Sequence, residues 1–531
     1  MKRITIKNFR KIKGEWDIKL SPVTFFVGPN NSGKSSVLKS LMLLDDYGNS
    51  NDHFTLKFNK EHSNNHKIDS YSNAINRFNL SDKNFDIDFK IENNLYAIEF
   101  CFFPYEYVGE KFEKGKLKSL RFNSNIDNSF LSINHIAANE YQVELDTNFY
   151  YKTRVNDETF EDIQSYESML FVTQNNIDLK YQYLNENDNL NLRESLSIKN
   201  EIKDLHKLLN KIKLNIKKLN SRISRDNHIL QPKINLDEFD SIKTIDKLLL
   251  RTLSFYINEN NLKNGYVNEK TEMQKITFML ESISDSLKLN LSHLTPNRNV
   301  QTRLYVNSNK TNDIHNIIND YYEYPILKNS DADKFLKKWM PQFDIGEDYK
   351  ISPLHGLATI IEINEVSNED NSWINLVDKG FGAGQIFSIL LRIATSINKL
   401  ELQNNRKSKS KANYFVLKEK PILLIEEPEA NLHPKFQSLL AEMFYQAAIT
   451  FGLQFIVETH SEYMIRSSQL IHISQVNKEN NIFSVYYFDK EGPYEMKYLD
   501  SGKFDRNFGE GFYDEASKHA MTLIQNQRKK D

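Results

Sequence analysis

The sequence predicts an α/β fold: a core of strands alternating with helices, an antiparallel β lobe, and an inserted helical, coiled-coil-like arm. Three observations predict it. A short apolar run, Val23–Val27, leads through glycines into a helix that is apolar at Val37, Leu38, Leu41, Leu43 and Leu44. Two more short apolar runs, Ile422–Ile425 and Phe455–Val457, alternate with helical patterns near the other end of the chain. Between these ends, a heptad seam runs through a polar stretch.

The 531 residues correspond to roughly three or four structural units. A chain this long buries a large core without disulfide or metal staples. Its single cysteine, Cys101, excludes an intramolecular disulfide and a cysteine-based zinc cluster. Lys+Arg number 69 against Asp+Glu 71, a net charge of -2, which excludes a globally basic nucleic-acid coat but permits local basic patches. No apolar run approaches the ~18 residues of a membrane span, and Met1–Arg10 lacks the apolar region of a signal peptide. A soluble cytoplasmic protein without membrane contact is expected.

Taken in order, residues 1–190 form the first unit. Arg3–Ile6 alternates apolar and polar residues as a half-buried strand does, and Val23–Val27, bounded by Pro22 and Gly28, is a buried strand. Residues 46–85 are polar, Asn-rich and expected to be loop-heavy. Strand alternation returns at Phe85–Ile91, at Tyr96–Phe100 and through 118–155, giving a β-rich lobe around one glycine loop. The second unit, 191–290, is the arm. Ile198, Ile202, Leu205, Leu209, Ile212, Ile216, Leu219 and Ile223 repeat at alternating spacings of four and three, an a/d seam. A second helix at Ile242–Tyr256 completes an expected antiparallel hairpin. Lys199, Lys203, Lys207, Lys211, Lys213, Lys217, Lys218, Arg222 and Arg225 outnumber Glu201 and Asp204 on the first helix. Such a face is either a solvated flank or a surface for phosphate backbones or a partner. The third unit, 291–531, carries the two apolar strands, with a mobile basic loop expected at Asn404–Lys411.

Four segments carry chemistry. Gly28-Pro29-Asn30-Asn31-Ser32-Gly33-Lys34-Ser35 satisfies G-x-x-x-x-G-K-[ST], the P-loop pattern, and Ser36 follows inside the helix. Its glycines let successive N–H groups turn inward onto phosphate oxygens, while the helix N-terminus adds its dipole. Lys34 is placed for the β- and γ-phosphates of ATP and the Ser35 hydroxyl for Mg²⁺. Leu423–Glu429 is an apolar strand ending in paired carboxylates. Glu426 is placed to hold the Mg²⁺ water shell, and Glu427 to orient and deprotonate the attacking water. Taken alone, the pair also fits a surface turn that closes a core strand. His460 ends the run Phe455–Thr459; it fits a structural histidine or, beside a P-loop, a hydrogen-bond donor to the γ-phosphate. Gly382, Ala383, Gly384 and Gln385 precede the apolar helix Ile386–Ile397. They form a flexible loop or a second anion-binding helix start, which would cap a nucleotide held by another subunit.

In this order the four segments resemble the ATP-binding cassette ATPases, specifically the split-head branch with SMC-type and RecF-type proteins. The P-loop and the carboxylate pair lie 426 minus 28, or 398, positions apart, with the arm between them. Asn8-Phe9-Arg10, the stretch Glu426–Pro434 and Glu458-Thr459-His460-Ser461 look like the opening strand, Walker B with D-loop, and switch-histidine segments of AAA15/OLD-type defence ATPases. Leu294–Arg298, and Lys338-Trp339 through Ile345–Asp348, echo the same families, whereas 155–290 matches only in character. The resemblance implies a split ABC-type ATPase head that forms an ATP-sandwich homodimer, or a larger even-numbered assembly. Gly382–Gln385 of one chain would face the nucleotide of the other. The sequence departs from the family pattern there, offering no serine to the γ-phosphate.

Only 531 minus 460, or 71, residues follow His460, too few for the Toprim nuclease domain of OLD-type proteins. No HNH-type cluster stands out in the chain. Asp489, Glu491, Asp500, Asp505, Glu510, Asp514 and Glu515 are expected to be surface carboxylates. The closest family likeness is to the PtuA-type ATPases of Septu and retron-associated antiphage systems. By that likeness the chain would scaffold and restrain a separate HNH-type nuclease, reaching nucleic acid through the complex. In the retron form it would also contact a reverse transcriptase with its RNA–DNA product. The alternatives are a RecF/SMC-like DNA-maintenance ATPase that grips duplex DNA with its basic arm, and a self-sufficient nuclease.

Overall fold

The computed structural model describes residues 1–58, 66–76, 85–93, 96–108, 111–124, 130–146, 192–221, 229–238, 242–252, 283–296, 298, 302–306, 313–365, 372–409, 420–474, 481–509 and 512–515, with single positions in 169–180 and 518–523. A six-stranded sheet forms the centre. Its spatial order is Leu291–Leu294, Ile422–Glu426, Gln454–Glu458, Val23–Val27, Phe483–Phe488, Pro493–Met496, parallel throughout except for the last pair. The P-loop strand therefore lies between two strands from the far end of the chain.

Why these strands read as unbroken apolar runs follows from the packing. A parallel sheet is covered on both faces, so both sides of its strands are mostly apolar; the buried Thr24 and Ser484 hydroxyls are satisfied by Ser21. Phe26, Ile422, Leu424, Ile456 and Phe488 enter one core, shared with the helix Lys34–Gly48 and the β lobe. Val23, Phe25, Val27, Leu423, Ile425, Phe455, Val457 and Val485 enter the other, packed against the helices Phe381–Lys409, Pro434–Phe451 and Glu462–Ser474. Burial of each such side chain contributes about 1.5–3 kcal/mol.

The β lobe is a ten-stranded antiparallel sheet. Arg3–Lys7 lies between Glu15–Lys19 and Ile87–Glu92, and the meander continues through Tyr96–Val108, Lys111–Ser124, Phe130–Ala137 and Glu140–Asp146 to Ile229–Leu230. The strands expected in 85–146 are present, and Ile87–Glu92 shows the strict alternation of burial that identified it. Residues 147–155 lie outside the described residues. A smaller four-stranded sheet, built around Asp348–Leu354 and Ala358–Glu365, completes the C-terminal half.

Three expectations are corrected. The first arm helix exists as Leu192–Ser221, but among the described residues its seam and the stretch 242–252 belong to different clusters. Ile202 and Leu209 pack on Ile177, with Ile198 and Leu205 alongside, so the described partner precedes the helix. Ile242, Ile245, Leu248 and Leu249 instead join the core of the β lobe. Arg222, Ile223 and Arg225 lie outside the described residues, as do 253–256. The helix expected from Ile386 begins at Phe381, so Gly382–Gln385 form its first turn rather than a loop. That helix runs to Lys409 and absorbs most of the expected basic loop; 410–411 lie outside the described residues.

Candidate functional site

The P-loop leaves its strand through two glycines for which no other residue would serve. Gly28 has φ 139°, and a Cβ there would sit 2.4 Å from the Phe488 carbonyl oxygen. Gly33, the residue before the helix, has φ 110°, and its Cβ would strike the Trp16 ring at 2.5 Å. Only a residue without a side chain accepts both the conformation and the close approach. Asn30 and Asn31 are exposed, Asn31 in the left-handed region at φ 62°, while Gly33, Lys34 and Ser36 are buried. Lys34 Nζ donates to the carbonyls of Gly28 at 2.8 Å and Pro29 at 2.9 Å, which holds the ammonium in the mouth of the loop. Ser32 Oγ is buried without a partner in the same loop.

Three carboxylates meet this loop at the C-terminal edge of the parallel sheet. Glu426 and Glu458 end adjacent strands in register with each other. Ser35 Oγ donates to Glu458 Oε2 at 3.1 Å, and Lys34 Nζ lies 3.7 Å from Glu458 Oε1. Glu426 Oε1 meets His293 Nε2 at 2.7 Å, across to the edge strand. Glu427 takes the left-handed conformation at φ 44°, and its amide donates to the Glu458 carbonyl at 2.8 Å.

Burial and charge shape the proton affinities. Burial pushes the Lys34 ammonium below its ordinary value, opposed by the charges of Glu458 and Glu427. Burial likewise pushes Glu458 up to about 7, opposed by Lys34 and reinforced by Glu426 and Glu427. His460 is pushed below its ordinary value by burial and by Lys34, with Glu427 acting the other way, so it is neutral at pH 7 and keeps one N–H to donate. The fields of Lys34 and Glu427 thus act on each other and on His460. Residues 427 minus 34, or 393, positions apart share one site.

His460 is held through its own amide, which donates to Glu429 Oε1 at 2.6 Å. Its half-exposed ring lies 6.4 Å from that of Phe512, so the C-terminal segment reaches back to the site.

The start of the helix Phe381–Lys409 sits elsewhere. A Cβ on Gly382 would meet the Asn431 carbonyl at 3.1 Å and Leu432 at 3.5 Å, which places the turn beside the D-loop segment of its own chain. The Gly384 amide already donates to the Gly380 carbonyl at 3.4 Å, so the first-turn amides before it are the ones free of intrahelical bonds. Gln385, expected to line a nucleotide, is fully buried and accepts from Arg298 Nε at 3.0 Å; its side chain faces into its own chain.

Two residues gained roles that sequence reasoning did not assign. Glu458 carried the same signal as Glu426, an acid ending an apolar strand, but was absorbed into the histidine segment. Arg298 is fully buried and donates to the carbonyls of Thr295, Glu426 and Glu427. Its contacts join segments over a hundred positions apart, which no local pattern reveals.

The residues fit a nucleotide triphosphate. An orphaned hydroxyl at Ser32, a cradle that Cβ atoms would fill, and a buried ammonium are what phosphate oxygens require. Among the described residues, no group of three or more His, Cys, Asp or Glu could hold a metal by itself. Mg²⁺ uses few protein ligands, keeping waters and substrate phosphates, so Ser35 with Glu426 or Glu458 suits it only as Mg–ATP. No described helix is long and apolar enough to cross a membrane.

The family model for the AAA ATPase domain (AAA_15) matches residues 1–465. Among solved structures, the chain is similar to the Smc head domain of Pyrococcus furiosus with an extended coiled coil, bound to the C-terminal domain of ScpA. That match has 11% identity and TM-score 0.32 and covers 99% of either chain. The SMC head domain from Thermotoga maritima matches at 11% identity and TM-score 0.30, over 93% of this chain and 97% of that one. The recombination mediator protein RecF, solved as RecF-ATPrS, matches at 11% identity and TM-score 0.27, over 93% and 98% respectively. No curated protein matches the chain.

Proposed function

The chain belongs to the AAA_15 family of ATPase domains, and from that premise we propose that it hydrolyses Mg–ATP in a composite site completed by a second copy. The observation that carries the reading is the convergence of Lys34, Ser35, Glu427, Glu458 and His460 on one sheet edge. Gly28–Ser36 wrap the phosphates, and Lys34 turns from its loop carbonyls to the β- and γ-oxygens. Ser35, Glu426 and Glu458 are the donors available to Mg²⁺, which when bound neutralises charge developing on the phosphates. Glu427 accepts the proton of the attacking water, and neutral His460 donates to the γ-phosphate. Gly382 and Ala383 of the partner chain offer first-turn amides to the same phosphate.

The antiphage reading goes further. The ATPase dimer would hold a separate HNH-type nuclease, in Septu or, with a reverse transcriptase and its RNA–DNA product, in a retron system. Closure on ATP would alter the partner only if the partner binds the open and closed states differently. An HNH reading frame beside the gene supports this assignment, and its absence counts against it. A second reading has one observation in its favour. Lys199, Lys203, Lys207 and Lys211 are exposed at four-residue spacing on the arm helix, a stripe that suits a duplex backbone. It requires steeply salt-dependent DNA binding by the purified chain alone.

Two substitutions test the ATPase site. Lys34→Ala removes the ammonium that phosphates need, and ATP binding should weaken by about 2–4 kcal/mol, or roughly 30- to 1,000-fold. Glu427→Gln keeps the shape and removes the base. Turnover should fall about 100- to 10,000-fold while ATP binding persists and a dimer accumulates. Normal hydrolysis by Lys34→Ala would falsify the P-loop role, and a Glu427→Gln protein that stays monomeric with ATP would remove the composite site.

A further inference from the structure

Arg298 belongs to none of the four motifs, yet its guanidinium reaches more of the site than any of them. Nη1 donates to the Thr295 carbonyl at 3.0 Å and the Glu426 carbonyl at 3.1 Å, and Nη2 donates to the Glu427 carbonyl at 2.7 Å. Nε donates to Gln385 Oε1 at 3.0 Å. Both side chains are 0% exposed, so no water substitutes for either partner. Burial pushes the Arg298 guanidinium down to about 10, and Asp313, Glu429, Glu427 and Glu426 surround it with compensating charge, so it stays ionised.

The backbone that this guanidinium grips is an unusual one. Glu427 is a non-glycine residue at φ 44°, a conformation that persists only when its surroundings impose it. Its amide is held by the Glu458 carbonyl and its carbonyl by Arg298, so the peptide planes on both sides of Cα are fixed. Fixing both planes fixes the direction in which the Glu427 carboxylate leaves the chain. The fourth partner points elsewhere. Gln385 lies in the first turn of the helix that presents Gly382 and Ala383, and its Nε2 is buried without a partner. The amide orientation is dictated by Arg298, which has only donors to offer.

We infer that Arg298 is a positioning residue that holds Glu427 in its reactive conformation and ties it, through Gln385, to the helix turn facing the neighbouring chain. The inference rests on the ATPase reading above. In a composite dimer, the turn engages the partner's nucleotide while Glu427 serves the chain's own. A shift of the turn on closure is then transmitted by Arg298 to the glutamate of the same chain, and the two ATP sites report to one another. Gly382 against Asn431 and Leu432 is a second tie between the same two segments. Lysine cannot replace the arginine, because a single ammonium cannot reach three carbonyls and an amide lying in a planar fork.

The test uses the full-length chain, with ATP affinity and steady-state turnover measured separately. Arg298→Lys should leave the dissociation constant of ATP within about twofold and lower kcat about 100-fold, the signature of misplacement rather than lost binding. Gln385→Met, close in volume and without polar atoms, should lower kcat about tenfold with the same unchanged affinity. Acting through one contact, the double variant should be no slower than Arg298→Lys alone. Wild-type turnover by a folded Arg298→Lys protein overturns the role, as does a double variant whose loss equals the product of the two single losses. If Arg298→Lys does not fold, Gln385→Met decides, and unchanged kcat in it is the negative result. A wild-type chain that neither binds nor hydrolyses ATP removes the underlying reading instead, and this role with it.

Discussion

Glu458 shows how a single residue can be disfavoured by its setting and still kept. It lies 3.7 Å from Lys34 and accepts from Ser35, yet burial raises its proton affinity to about 7. A carboxyl whose folded value exceeds its unfolded value, near 4.5, binds its proton more tightly in the folded chain. Its stabilising contribution is complete below about 4.5 and is lost as pH rises through about 7. Glu458→Gln carries the neutral shape at every pH. The variant should therefore lose less stability than wild type between pH 5 and 8, by at most about 3 kcal/mol. Loss of the carboxylate that pairs with Lys34 reduces that gain. Urea midpoints at pH 5, 6.5 and 8 measure the difference, and parallel curves would mean that Glu458 titrates in the ordinary range. At this scale the sequence was partly legible. Lys34, Ser35 and Glu427 are found by pattern because phosphate chemistry fixes their spacing. Arg298 is not, because it acts through carbonyls contributed by distant segments.

Among the elements, the P-loop helix is anchored at its far end by backbone contact. A Cβ at Gly48 would lie 2.2 Å from the Leu287 carbonyl oxygen, and Asp45 Oδ1 accepts from the Leu289 amide at 3.0 Å. The helix thereby docks the segment that leads into the edge strand Leu291–Leu294. Gly48→Ala forces helix and segment apart and should cost about 1–3 kcal/mol, read as a lower urea midpoint at unchanged slope. An unchanged midpoint would show that the segment yields freely. The central strands were legible because burial on both faces leaves mostly apolar residues. The helix start at Phe381 was not. Glycines at 382 and 384 give this first turn poor helix propensity, and its close approach to the Asn431 backbone, with the Arg298–Gln385 hydrogen bond, overrides it. Most of the expected basic loop Asn404–Lys411 reads as a loop by charge and polarity, yet the helix runs through it to Lys409. The arm seam was legible as a face needing cover, but heptad spacing does not say which segment covers it; Ile177 does.

Over the whole molecule, the two ends of the chain make a single sheet, and neither end can complete it. Val23–Val27 is buried at all five positions and pairs with Gln454–Glu458 on one side and Phe483–Phe488 on the other. The N-terminal amine of Met1 donates to Gln454 Oε1 at 2.9 Å, a second link between the halves. Without the P-loop strand, a fragment spanning 291–531 would expose two strand edges facing an empty slot, flanked by apolar side chains of both cores. A fragment spanning 1–290 would keep its antiparallel lobe, whose sheet and core draw on residues up to Leu289, but leave Phe25 and Val27 uncovered. Expressed separately, 291–531 should aggregate or unfold without cooperativity, whereas co-expression of the two should give a complex with one cooperative transition. That complex should bind ATP, because Lys34 and Ser35 come from one fragment and Glu427 and Glu458 from the other. A soluble 291–531 fragment with a sharp unfolding transition of its own would show that the sheet closes without the strand. The P-loop strand would then be an addition to a finished domain rather than its centre.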